Sequence, residues 1–144
     1  MNEMTNINHS LPAQLIGVGK RIAQIMDDRL NKVGLSNAKL SALDSIVTSH
    51  EAETLVTVTC MADVMNTTKS NVTAMVDRLI AEGLVTRHHS LEDRRTVVIA
   101  LTDLGQERHQ VGVKVVQEFH TELSGILSDE EQQHLGCLLD KLVS

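Results

Sequence analysis

Aromatic side chains are nearly missing from this 144-residue chain: Phe119 is the one ring, with no Trp and no Tyr. Apolar residues still make up 42%, so the core has to be aliphatic. Only two cysteines occur, Cys60 and Cys137, far apart and outside any Cys-x-x-Cys spacing. That excludes a disulfide framework and a cysteine-rich zinc site, and reduced, packed thiols are expected. No apolar run reaches the ~18–20 residues of a membrane span, and the opening stretch 1–10 is polar, with Glu3 and no Lys or Arg. A cytoplasmic chain with no membrane partner is the expectation. The Gly-x-Ser-x-Gly, phosphate-loop and His-Glu-x-x-His patterns are missing too. No nucleophile sits at a useful spacing from a base, so neither a catalytic residue nor enzymatic activity is expected.

A length within the ~100–200 residues of one domain leaves room for a single compact unit. Residues 1–9 show no periodicity and read as a flexible N-terminal arm, and residues 10–144 read as one domain. Leu11, Leu15, Val18, Ile22, Met26 and Leu30 recur at helical steps between Ser10 and a stop at Gly34, with Pro12 in the first turn. Gly17 and Gly19 inside that helix point to close approach of another backbone or to a mobile first half. Ser36 is placed to cap a second helix striped by Leu40, Leu43, Ile46 and Val47. Leu55–Thr59 alternates Val and Thr and predicts a very short strand, followed by a short helical piece over Cys60–Met65.

The clearest periodicity follows. Asn66-Thr67-Thr68 supplies a turn and a cap, after which Val72, Met75, Val76, Leu79 and Ile80 lie on one face of a helix stopped by Gly83. The opposite face presents Lys69, Ser70, Thr73, Ala74 and Asp77. Beyond Gly83 the period switches to two, so 84–88 and 95–101 read as paired strands around a polar tip at 89–94. Thr102 is placed to cap a long helix that Gly125 ends. Ser128 and Glu131 have capping-box spacing for a last helix striped by Leu135, Leu138, Leu139 and Leu142.

Two short helices joined by a tight turn and followed by a two-stranded ribbon make a winged helix-turn-helix. The expected fold class is mainly α, an α+β winged helix, with its core over about 36–102. A net charge of −6 argues against a nucleic-acid partner, but the acids lie elsewhere. Residues 67–100 carry five Lys and Arg against four Asp and Glu, whereas 101–144 carry three against eight. Charges are screened beyond ~8 Å at physiological salt, so the local sign decides.

The stretch from Asn66 to Leu79, then Glu82-Gly83-Leu84-Val85, then Glu92-Asp93-Arg94-Arg95 running through a β segment to Leu101-Thr102-Asp103-Leu104-Gly105, resembles the MarR family of bacterial winged-helix transcription regulators. The Asp-Arg-Arg wing leading into Leu-Thr-x-x-Gly is the most specific part. The resemblance implies a homodimer built by terminal helices at about 10–34 and 103–144. It implies two recognition helices about one DNA turn, ~34 Å, apart on a pseudo-palindromic operator in double-stranded DNA. DNA contacts are then expected from Thr67, Thr68, Lys69, Ser70, Asn71, Thr73 and Ala74 at the start of the recognition helix. Arg87, His88, Asp93, Arg94 and Arg95 are expected to contribute from the wing, with one arginine in the minor groove and Asp93 pairing with and orienting an arginine.

The resemblance also implies a site for small aromatic acids, which many relatives bind in a cleft between the dimer helices and the winged lobe. Here such a cleft would be aliphatic, with Lys20 or Arg21 as the anchor for an anionic effector. Cys60 is a redox candidate, against its reading as a small buried hydrophobe. Neither metal nor cofactor is expected: seven histidines occur without ligand spacing, and folding would have to gather His50, Glu51 and His109 to make a site. The expected function is a dimeric, sequence-specific DNA-binding repressor released by a small effector. The rival is a dimeric ligand-sequestering or protein-interaction module without DNA binding.

Overall fold

The computed structural model describes residues 10–51 and 55–143, and the arm expected at 1–9 lies outside them. Helix α1 spans Leu11–Asn31, α2 Asn37–Glu51, α3 Val58–Val64 and α4 Lys69–Ala81. Strands β1 (Val85–His89) and β2 (Val97–Leu101) form an antiparallel pair in which Val85 faces Leu101 and His89 faces Val97. Helices α5 (Asp103–Ser124) and α6 (Asp129–Val143) follow. The fold is the mainly helical winged helix-turn-helix that the sequence pattern describes.

Caps set most of these boundaries. Ser36 Oγ accepts from the Lys39 N–H at the start of α2, and Thr68 Oγ1 does the same for the Asn71 N–H at the start of α4. Thr102 Oγ1 accepts from the Gly105 N–H at 3.0 Å. At α6 the capping box closes in both directions: Ser128 Oγ accepts from the Glu131 N–H, and Glu131 Oε2 accepts from the Ser128 N–H at 2.8 Å. Those bonds from Ser128 hold the Glu131 carboxyl below its ordinary range.

The strand expected over Leu55–Thr59 does not form. Residues 55–57 are irregular and α3 begins at Val58. Thr57 is the reason, because its hydroxyl accepts from the Cys60 N–H and its carbonyl from the Met61 N–H, which commits the chain to a helix. Only the Val56 carbonyl joins the sheet, accepting from the Ile99 N–H at 2.8 Å. Strand β2 likewise starts two residues later than the alternation predicts, because Arg95 and Thr96 are drawn into the tip by Asp93. A β-carbon at Gly17 or Gly19 would meet no atom within 4 Å outside the helix's own backbone, so the close approach expected of them does not occur among the described residues of one chain.

The core is aliphatic. Leu43, Met61, Val72, Val76 and Leu79 fill the space between α2, α3 and α4, and Val85 and Ile99 seal the wing onto it. Helices α1 and α5 lean on the other side of α2 through Met26, Leu30, Leu40 and Phe119. Arg29 of α1 donates to Glu122 of α5 at 2.6 Å, and its guanidinium lies 4.9 Å from the centre of the Phe119 ring.

One junction fixes the wing against the long helix. Gly83 ends α4 in the left-handed region, with φ of 72°. Its carbonyl accepts from the Thr102 hydroxyl at 2.6 Å, and the Leu84 carbonyl accepts from the Thr102 N–H at 3.0 Å. A β-carbon on Gly105 would run into the Leu84 carbonyl, so only glycine lets α5 approach that closely. The Leu-Thr-x-x-Gly pattern is thus the imprint of this junction.

Gly105→Ala is expected to destabilise the fold by about 1–3 kcal/mol, the usual cost of overpacking, read from the denaturation midpoint. The hydrogen bond from Arg29 holds the Glu122 carboxyl below its ordinary value of 4.5. Stability from that pair is present at and above 4.5 and is lost as pH falls through the depressed value. Melting temperatures of the native chain and of Glu122→Gln are therefore expected to differ at neutral pH and to converge in acid.

Candidate nucleic-acid interface

Helices α3 and α4 are joined by a turn whose Asn66 takes φ of 49°, a left-handed conformation that asparagine tolerates. The Thr67 N–H reaches back to the Ala62 carbonyl at 3.0 Å and closes the turn. Val72, Val76 and Leu79 are buried, so the opposite face of α4 must look outward. Thr68, Lys69, Ser70, Asn71, Thr73, Ala74 and Asp77 are exposed and Thr67 is half-buried at the edge, which brings the expected recognition-helix residues to one end of one surface. No acid occupies the first turn of α4. The positive end of the helix dipole is therefore uncompensated, with Lys69 beside it.

Local bonds sort these residues. The Asn71 amide donates to Thr67 Oγ1 at 3.2 Å, and Thr73 Oγ1 donates to the Lys69 carbonyl at 2.8 Å. Thr73 has thus spent its one proton and is left as an acceptor. Lys69 and Ser70 keep their side-chain donors unpaired among the described residues.

The wing divides by face, since successive strand residues point to opposite sides. Arg87 turns to the recognition helix and pairs with Asp77 at 2.7 Å, which makes it a tether between α4 and β1. In the sequence pattern Asp77 is one more outward polar group, because an ion pair between a helix and a strand ten residues on has no periodic signature. His88 faces the other way, into a cleft against α2.

At the tip, Asp93 does not pair with an arginine side chain. Its Oδ1 accepts from the Arg95 N–H at 3.0 Å and its Oδ2 from the Thr96 hydroxyl at 3.0 Å. The Thr96 N–H donates to the Asp93 carbonyl, and the Ser90 N–H donates to the Thr96 carbonyl. Asp93 shapes the loop backbone, an Asx-type role in which a short carboxylate outcompetes a distant guanidinium. The guanidinium groups of Arg94 and Arg95 are exposed and have no ion pair among the described residues.

The other candidates lie away from this surface. Lys20 and Arg21 are exposed on α1 and line none of three clefts: one of about 870 Å³ between α2 and α4, one of about 490 Å³ beside the wing, and one of about 350 Å³ between α1, α2 and α5. Cys60 is half-buried with its sulfur 3.6 Å from the Ser49 hydroxyl. His109 pairs with Asp44 at 2.9 Å, while His50 borders the wing-side cleft; the Glu51 side chain lies outside the described residues. Among the described residues no three metal-ligating side chains gather, and no helix is long and apolar enough to cross a membrane.

A family profile, that of the MarR family, matches residues 35–97, which run from the start of α2 into β2. The multiple antibiotic resistance protein MarR of Escherichia coli is 30% identical over 142 residues, covering 90% of this chain and 93% of that protein. The transcriptional repressor YetL of Bacillus subtilis is 27% identical over 135 residues, 89% of this chain and 78% of the relative. Among solved structures, a variant of Escherichia coli MarR complexed with operator DNA superposes with a TM-score of 0.77 at 24% identity, over 99% of this chain and 100% of that one. That likeness concerns the fold, while identity along nearly the whole length settles the lineage. This chain belongs to the MarR family and is a transcription regulator, not an enzyme.

Proposed function

We propose that the protein is a cytoplasmic repressor that binds double-stranded DNA as a homodimer. One observation carries the reading: an uncompensated helix N-terminus bearing Lys69 shares an exposed surface with an arginine-tipped wing bound to it by the Asp77–Arg87 pair. Helix α4 has the shape and polarity to enter a major groove, and Arg94 and Arg95 those of groups that seek a narrow minor groove. Two similar proteins agree with it, YetL of Bacillus subtilis being a transcriptional repressor and the Escherichia coli MarR variant having been solved with operator DNA.

Dimerisation is supported by what α6 lacks. None of its residues is buried, although Leu135, Leu138, Leu139 and Leu142 share one side of it. A 15-residue helix has too little intrinsic stability to persist without packing. Leu11, Ile16 and Val18 of α1 are equally bare, so a second copy is the natural cover for both ends. Such a pair would set its recognition helices about ~34 Å apart on a pseudo-palindrome.

For effector release, the cleft between α1, α2 and α5 is the fitting place. Its lining sets the aliphatic side chains of Met26, Leu40, Val113 and Val116 beside the polar Asn37, Ser41, Asp44, Gln117 and His120, and includes neither Lys20 nor Arg21. An occupant there would act on the contact between dimer helices and winged lobe.

Gel-shift measurements on genomic fragments at two salt concentrations test the reading; retention that weakens with salt is expected, and absent or salt-insensitive retention overturns it. Arg95→Ala is expected to cost about 1–3 kcal/mol of operator affinity, and Lys69→Ala to reduce the salt slope by about one. Sedimentation equilibrium is expected to return twice the 15.8 kDa chain mass.

A further inference from the structure

The hydrogen bonds already made along α4 decide which base edges that helix can read. Ser70, Thr73, Ala74 and Asp77 recur at helical spacing on the side turned away from the buried Val72, Val76 and Leu79, and all four are exposed. Asp77 is taken up by Arg87 at 2.7 Å. Thr73 Oγ1 donates to the Lys69 carbonyl at 2.8 Å, so its hydroxyl is turned back onto the helix and its methyl is left as the outward group. Ala74 ends in a methyl as well. Two methyl groups from successive residues therefore lie on the exposed side, with the small Ser70 one turn before them.

The long side chains that read bases most specifically stand elsewhere. Arg and Lys read guanine through N7 and O6, and Asn and Gln read adenine through N6 and N7. Arg78 is in the last turn of α4, whereas a helix-turn-helix meets bases with the N-terminal part of its second helix. Asn71 has its amide turned back to Thr67 Oγ1 at 3.2 Å. Lys69 stands at the helix start, where a phosphate is the natural partner. In the major groove the 5-methyl of thymine is the group that Ala and Thr methyls contact. Thr73 Oγ1, left as an acceptor only, matches the N6 amino donor of the paired adenine.

We propose that the exposed side of α4 recognises thymine, the methyl groups of Thr73 and Ala74 packing on the 5-methyl of thymine in each half-site; this rests on the reading of the chain as a DNA-binding regulator and names the base it reads. Operator choice then depends on thymine methyls and not on guanine. The discriminating atom is a single carbon, which can be removed from the DNA without touching a hydrogen bond.

Duplexes selected from a random pool by the full-length protein supply the operator, which is then resynthesised with deoxyuridine in place of each thymidine in turn. That exchange deletes the 5-methyl and leaves the hydrogen bonds of the base pair intact. At one or two thymines per half-site, uracil is expected to weaken binding about fourfold, the effect of one buried methyl. Thr73→Ser removes the side-chain methyl and keeps the hydroxyl that bonds Lys69, so it is expected to weaken binding to the thymine duplex about fourfold and to leave the uracil duplex unaffected. Ala74→Gly is expected to reduce the same discrimination without changing the salt slope, because no phosphate contact is lost. Undiminished binding to a duplex with every thymine replaced, or full discrimination by both variants, overturns the proposal while the DNA-binding reading stands. Selection that enriches no duplex overturns that reading, and this one with it.

Discussion

Where the recognition helix ends, three backbones meet within hydrogen-bonding distance. Gly83 turns the chain out of α4, Leu84 opens β1, and Thr102 and Gly105 open α5 against them. Thr102 spends its hydroxyl twice, donating to Gly83 and accepting from Gly105, while its own N–H goes to Leu84. Polar backbone groups at a helix end and a helix start would otherwise lie unsatisfied at a packed corner. Because the bonds also join the winged lobe to α5, the orientation of one determines the orientation of the other. A family motif that looks like punctuation in the sequence is the geometry that lets a dimer helix aim a recognition helix.

The candidate DNA-facing surface is organised by a division of labour among charges. Arg87 and Asp77 neutralise each other and hold the wing to the helix, and an exposed pair of this kind serves geometry more than stability. Asp93 is consumed by the loop backbone. Among the described residues of α4 and the wing, Lys69, Arg78, Arg94 and Arg95 make no ion pair, with Ser70 as a neutral donor. On a chain of net charge −6, these few cations give the surface its local attraction for phosphate, since the acids of α5 and α6 are screened beyond ~8 Å.

Much of this architecture is visible in residue order. The helix over Lys69–Ala81 announces itself through Thr68, the run of Val72, Val76 and Leu79, and Gly83, all local signals acting within one element. Leu55–Thr59 misleads because alternation of Val and Thr is a strand signal, yet Thr57 uses its hydroxyl as a cap and starts α3 two residues early. The interface was legible as a set of positions and not as a set of roles. Nothing in the order of residues tells Arg87 from Arg95, since the difference lies in which side of a strand faces α4. The turn of His88 away from α4 has the same origin, as does the outcome for Asp93, whose partners lie two and three residues away rather than in an arginine head.

Helix α6 has a leucine stripe and no internal surface to lay it on. In the proposed homodimer this segment acquires its core from a second copy, which makes the last step of its folding second order in chain. Dilution would then loosen the C-terminal end while the winged lobe, with its own sealed core of Leu43, Met61 and Val76, stays intact. Copy number, in such a molecule, governs shape as well as occupancy.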